Sequence, residues 1–218
     1  MNMFDTLDGK FVARLREIAS TTRSTADGCS SITFRTARVE AEYSPDVIKR
    51  IEAGRLLAIP NMVGINTNDA FSVYEIADVY PVHYSMLTLD RSQPAAIRKE
   101  FMSLIEREWK VGSKSTWIDI VAAPTGYMIK VEDGEPSFVR KGIAPLIGSQ
   151  VQLLSAEMIK KFICYTPPRT DCEGFKIGNL LGVTDDELPF TVNLEKLLHY
   201  HVGLFAFTGS GKSNLTSL

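Results

Sequence analysis

Near the C-terminus an apolar run, Val202 to Phe207, gives way to Thr208-Gly209-Ser210-Gly211. Lys212, Ser213 and Asn214 then open a helical pattern. No other stretch limits the possible folds so strongly. A strand, a glycine-rich turn and a helix start, in that order, are the setting of a phosphate-binding loop. Ala206 stands where the G-x-x-x-x-G-K-[ST] pattern has its first glycine, while Gly211, Lys212 and Ser213 are in place. Glycines without a Cβ let backbone N–H groups close around a phosphate. The positive N-terminal end of the following helix points at the same spot. Lys212 can reach the β- and γ-phosphates as the catalytic cation, and the Ser213 hydroxyl can ligate Mg²⁺. A chance Gly/Ser turn before a helix is the competing reading; the apolar strand ahead of the turn favours the loop.

A complete α/β nucleotide domain needs several strands beyond the first. The residues up to Leu218 stop about two turns into the helix. The chain is therefore expected to be the N-terminal part of a longer protein, inactive in ATP hydrolysis by itself.

The preceding residues read differently. Ile32 to Tyr43 alternates apolar and polar with one slip, as a strand with a bulge does. Leu56 to Ile59, Phe71 to Tyr80, Trp117 to Ala122, Tyr127 to Val131, Phe138 to Arg140 and Gln150 to Leu154 add further strands. Glu132-Asp133-Gly134-Glu135 has hairpin turn chemistry. Helices are expected from the Ser44-Pro45 start to Gly54, from Pro94 through Trp109, and over Ser155 to Phe162. In the second of these, Ile97, Phe101, Leu104, Ile105 and Trp109 form an apolar stripe, more in keeping with packing than with chemistry. Phe4, Leu7, Phe11, Leu15 and Ile18 also fall at helical spacing, so a fourth helix is expected there, followed by a Ser/Thr-rich loop from Ser20 to Ser31.

The fold class expected is mixed α and β. Residues 1–165 would form a β-barrel or sandwich with inserted helices. Residues 166–174, with Pro167-Pro168, would be a linker, and 175–218 the opening of a P-loop domain. The strands Phe175 to Gly178 and Phe190 to Leu194 lead into it.

Composition narrows the function classes. The formal net charge is −2, which gives no overall basic signal for nucleic acid. Three irregularly spaced cysteines do not make a disulfide framework. No stretch approaches the ~20 apolar residues of a membrane span, and the N-terminus has no signal-peptide pattern. A cytoplasmic location and no membrane partner are expected.

Lys176 to Gly182 (KIGNLLG), Phe190 to Leu194 (FTVNL) and His201 to Asn214 (HVGLFAFTGSGKSN) together resemble the HerA group of ATPases in the HerA/FtsK superfamily. Ile177-Gly178-Asn179-Leu180 and His201 match features that precede the phosphate loop in that group. The close resemblance covers Lys176 to Leu218; the earlier residues match by layout. It implies an N-terminal HAS-type barrel ahead of a RecA-like motor. It further implies ATP and Mg²⁺ as cofactors, a homo-hexamer, and translocation of double-stranded DNA. A NurA-like nuclease or an anti-phage defence effector would dock on the barrel. The residues carried over are Thr208, Gly209, Ser210, Gly211, Lys212, Ser213 and Asn214 for the ATP phosphates, with Ser213 on the metal.

Two other readings stand beside this one. A motor of the same superfamily could move another substrate, as in conjugation or secretion. The residues taken alone could be a non-enzymatic assembly and docking module. DNA stimulation of the ATPase separates the first, and the assembly state of the fragment tests the second.

Other constellations carry less. His199 and His201 share a strand face, with Cys164 and Cys172 upstream, but zinc wants tighter cysteine pairs. Asp185-Asp186-Glu187 beside Pro189 reads as a solvated turn. Lys160 and Lys161 among Met158, Ile159 and Phe162 read as a helix face.

Overall fold

The computed structural model describes residues 2–24, 31–66, 69–88, 94–111, 115–165, 175–179, 189–192 and 199. The N-terminal part is built on an eight-stranded antiparallel sheet that returns on itself. Its strands are β1 (Phe4–Asp5), β2 (Ala13–Ser24), β3 (Ser31–Glu42), β4 (Leu56–Pro60), β5 (Ala70–His83), β6 (Thr116–Glu132), β7 (Glu135–Val139) and β8 (Gln150–Leu154). The path β8–β2–β3–β6–β5–β4 closes because β4 also pairs with β8, Leu57 opposite Leu153. β1 adds to β8, and β7 extends β6 through a two-residue turn. In that turn Asp133 (φ 51°) and Gly134 (φ 81°) both occupy the left-handed region, as a hairpin of this kind requires. The strand-rich unit with inserted helices that the sequence predicts is thus present as a ring of strands.

Alternation along the strands sorts side chains to two cores. On β4, Leu57 and Ile59 face the inside of the ring, while Leu56 and Ala58 face outward. Leu15, Val39, Ile76, Ile118, Ile120 and Leu153 complete the interior. The outer cluster gathers Phe71, Val73, Ile129, Phe138 and Leu154 beneath α4 (Ala156–Tyr165), whose Met158 and Ile159 are buried. Lys160 and Lys161 on α4 are exposed. The Ser155 hydroxyl accepts the Met158 N–H at 3.3 Å, capping that helix as its sequence suggests.

Three expectations need correction. Phe4 to Ile18 is not helical: it contains β1, a turn at residues 7–10 and the start of β2. Leu7, Asp8 and Gly9 all have positive φ (47°, 59° and 77°), which no right-handed helix accommodates. From Leu15 to Ile18 the helical spacing comes from a bulge. The β2–β3 register shifts between Leu15 and Glu17, so one extra residue separates the inward-facing Leu15 from Ile18. Ser20 to Ser31 is likewise not simply a loop, since β2 runs to Ser24 and β3 begins at Ser31. Finally, α1 (Pro45–Arg50) starts at Ser44 as expected, but the Ser44 side chain makes no cap bond, and Ile51 rather than Gly54 ends it. Gly54 (φ 91°) instead turns the chain so that its N–H meets the Ile76 carbonyl at 2.8 Å.

Two helices are inserted between β5 and β6: α2 (Tyr84–Thr88) and α3 (Ala95–Val111). The C-terminal half of α3 is seated on the ring. Ile105 is buried, and the Trp109 ring meets Tyr43 and His83 edge-on at 4.8 and 5.8 Å. Much of the rest of the helix is open to solvent, with Ile97, Phe101, Met102 and Leu104 exposed. The apolar stripe of α3 is therefore a packing face over half its length only.

Candidate nucleotide-binding segment

The residues leading to the glycine-rich run form a separate two-stranded sheet, β9 (Phe175–Asn179) and β10 (Pro189–Val192). Phe175 opposes Val192, Lys176 opposes Thr191 and Gly178 opposes Phe190, with a register shift between Phe190 and Thr191. Both strands predicted from the sequence are present and pair antiparallel. Pro189 begins β10, a position that costs no interior ladder bond. Thr208, Gly209, Ser210, Gly211, Lys212, Ser213 and Asn214 lie outside the described residues, as do His201 and Asp185 to Glu187.

The remaining question is which segment this hairpin introduces. Residues 175–218 match the family model described as Helicase HerA, central domain. The match begins at the first residue of β9 and takes in the whole glycine-rich run. It supports a P-loop ATPase of HerA/FtsK type for this segment. No curated protein matches the chain.

Elsewhere the described residues hold no group of three or more His, Cys, Asp or Glu side chains arranged to hold a metal. His199 is exposed at a turn. No helix among the described residues is long and apolar enough to cross a membrane.

Each end of the strand ring carries a cleft. At one end, about 350 Å³ is bounded by Leu7, Lys10, Asp46 and Arg50. Four of its charges are paired, Lys10 with Asp46 and Arg50 with Asp8 at 3.2 Å, and Lys49 also lines it. The Asp46 partner raises the Lys10 pKa, and Lys10 in turn lowers that of Asp46. Both side chains sit in water, so this pair is weak.

At the opposite end, β6 is wider than its partner. Ser72 opposes Met128 while Tyr74 opposes Pro124, so Thr125, Gly126 and Tyr127 bulge out opposite Val73 alone. Gly126 has φ 81°. The Thr125 hydroxyl ties the bulge down by donating to the Val73 carbonyl at 2.8 Å. A cleft of about 370 Å³ opens there between the bulge, Arg35, Tyr74 and the chain from Gly142 to Pro145. Sequence reading did not single it out. Its one signal was the Pro124-Thr125-Gly126 interruption between two apolar runs, which fits a bulge as well as a strand break.

Proposed function

We propose that this chain supplies the N-terminal module and the phosphate-binding loop of a HerA-type, ATP-dependent translocase of double-stranded DNA. The observation that carries the reading is the family match over 175–218, which includes Gly211-Lys212-Ser213. In this reading Thr208 to Gly211 present backbone N–H groups to the ATP phosphates. Lys212 neutralises charge on the β- and γ-phosphates, and Asn214 adjoins them. The Ser213 hydroxyl is a hard oxygen donor of the kind Mg²⁺ accepts. The metal, when bound, offsets the charge developing on the transferred phosphoryl group.

The strand ring of residues 1–165 corresponds to the HAS-type barrel, 166–174 to a linker, and 175–218 to the opening of the RecA-like motor. Assembly as a homo-hexamer around duplex DNA follows from the same analogy, as do a cytoplasmic location and docking of a nuclease or defence effector on the ring. The closed antiparallel ring with inserted helices supports the barrel assignment.

The test is ATP hydrolysis by the polypeptide that carries the complete motor, with and without duplex DNA. Stimulation by duplex DNA, together with a hexameric mass, is the expected result. Hydrolysis unaffected by DNA would transfer the assignment to a motor with another substrate.

A further inference from the structure

The cleft at the bulged end of the ring contains an unusual pair of side chains. Tyr74 is only 6% exposed, and its ring belongs to the interior core. The Tyr74 hydroxyl has no hydrogen-bond partner among the described residues, and it is not one of their buried unsatisfied atoms, so it opens onto the cleft that Tyr74 lines. The neighbouring polar side chains are already engaged. The Ser72 hydroxyl donates to the Ile143 carbonyl at 2.6 Å, and the Thr125 hydroxyl to that of Val73.

Arg35 lines the same cleft from β3 and makes no ion pair among the described residues. Arg35 is exposed; Arg16 pairs with Glu40, Arg38 with Glu17, Arg50 with Asp8 and Arg55 with Asp5, while Arg14 bonds the Gly148 carbonyl. The charge of Arg35 reaches Tyr74. Burial raises the Tyr74 pKa, and the guanidinium opposes that rise in part. The phenol therefore keeps its proton at neutral pH and is a donor.

The rest of the wall is apolar: Ile18, Pro124, Ile143 and Pro145, with the Tyr127 ring. Gly126 and Gly142 leave open space where a Cβ would stand. A cation, a neutral hydroxyl donor and an apolar wall together recognise a negatively charged head on an apolar body.

We propose that this cleft binds a small organic anion, whose carboxylate or phosphate head pairs with Arg35 and accepts a hydrogen bond from the Tyr74 hydroxyl. Its aromatic or aliphatic body lies against Ile18, Pro124, Ile143 and Pro145. The site is distinct from the phosphate-binding loop and does not depend on the motor reading.

The experiment titrates benzoate and phenyl phosphate into the 218-residue chain, with benzyl alcohol as the uncharged control, following backbone amide shifts by NMR. Lys212→Ala serves as the background, so that phenyl phosphate has no second site at the glycine-rich run. Expected are saturable shifts at Gly126, Gly142 and Tyr74 with at least one of the two anions, and none with the alcohol. The stronger anion identifies the head group. Tyr74→Phe and Arg35→Gln should each weaken binding about tenfold, the cost of losing one charge-assisted contact. Tyr74→Phe should leave the melting temperature unchanged, because the hydroxyl has no partner to lose among the described residues. Three results would overturn the proposal: no shifts with either anion, affinities indifferent to both substitutions, or a clear fall in melting temperature on loss of the Tyr74 hydroxyl.

Discussion

The Nε2 atom of His83 lies 2.7 Å from Oε2 of Glu108, joining the end of β5 to the last turns of α3. The other ring nitrogen, Nδ1, accepts the Ser85 N–H at 3.1 Å. With Nδ1 accepting, the ring proton is on Nε2, so His83 donates to Glu108. His83 is 2% exposed, whereas Glu108 is half in water. Glu108→Ala should therefore cost about 1 kcal/mol, a part-exposed charged hydrogen bond. His83→Ala removes the tautomer-locked ring and its edge contact with Trp109, and should cost about 2–3 kcal/mol. Hydrogen exchange should show faster amide exchange in α3 for both variants, with β2 and β3 little changed.

Asp5 and Arg55 form the second anchor, at 2.7 Å. Burial alone would raise the Asp5 pKa. The Leu7 N–H, the hydrogen bond and charge of Arg55, and the charge of Arg50 outweigh it and hold the carboxyl below its usual 3.8. A carboxyl depressed on folding contributes stability that is fully present above its unfolded pKa and is lost as pH falls through the folded one. Acid unfolding of the native chain should thus steepen below pH 3.8, and Asp5→Asn should flatten that limb. At neutral pH the same substitution strands the buried Arg55 guanidinium and should cost about 2 kcal/mol, read by urea denaturation.

The interior of the ring tolerates little loss of volume. Ile120 is fully buried between Val39 and Val79 on the neighbouring strands. Ile120→Ala should destabilise by about 3–4 kcal/mol, and Ile120→Val by about 1 kcal/mol. Chemical denaturation gives both values, and the slope of the transition should not change.

Two glycines separate a required absence of side chain from an incidental one. A Cβ on Gly64 would sit 2.6 Å from the Ala70 backbone nitrogen, whereas one on Gly142 meets nothing within 4 Å. Gly64→Ala should cost about 2 kcal/mol by overpacking, while Gly142→Ala should lie within about 0.5 kcal/mol of the native chain. Thermal melts of the two variants side by side make the comparison.

In the polypeptide carrying the complete motor, Lys212→Ala should reduce ATP turnover by at least about a hundredfold. Ser213→Ala should raise the Mg²⁺ concentration needed for half-maximal rate. Neither should alter the melting of the strand ring. Retained hydrolysis in Lys212→Ala would dismiss the phosphate-loop assignment.

Local chemistry made several elements of this protein readable from its residues. Asp133-Gly134 specifies a tight hairpin because both positions need positive φ. Ser155 announces α4 because a hydroxyl there can hold an orphan amide. The family match covers one contiguous stretch, residues 175–218, that includes Gly211-Lys212-Ser213. The hairpin and cap signals lie within a few residues of the structure they dictate. Tertiary structure alone settled the rest. A bulge after Leu15 shifts an alternating strand into helical spacing, and only pairing with β3 distinguishes the two. The stripe on α3 reads as uniformly apolar, yet the ring reaches Ile105 and Trp109 and stops short of Ile97 and Phe101. Arg35 and Tyr74 are far apart in the chain and unremarkable in their own strands. They line one cleft, which opens where the bulge at Thr125 to Tyr127 widens β6. Periodicity reports which faces can be buried; closure of a sheet through distant partners determines which of them are.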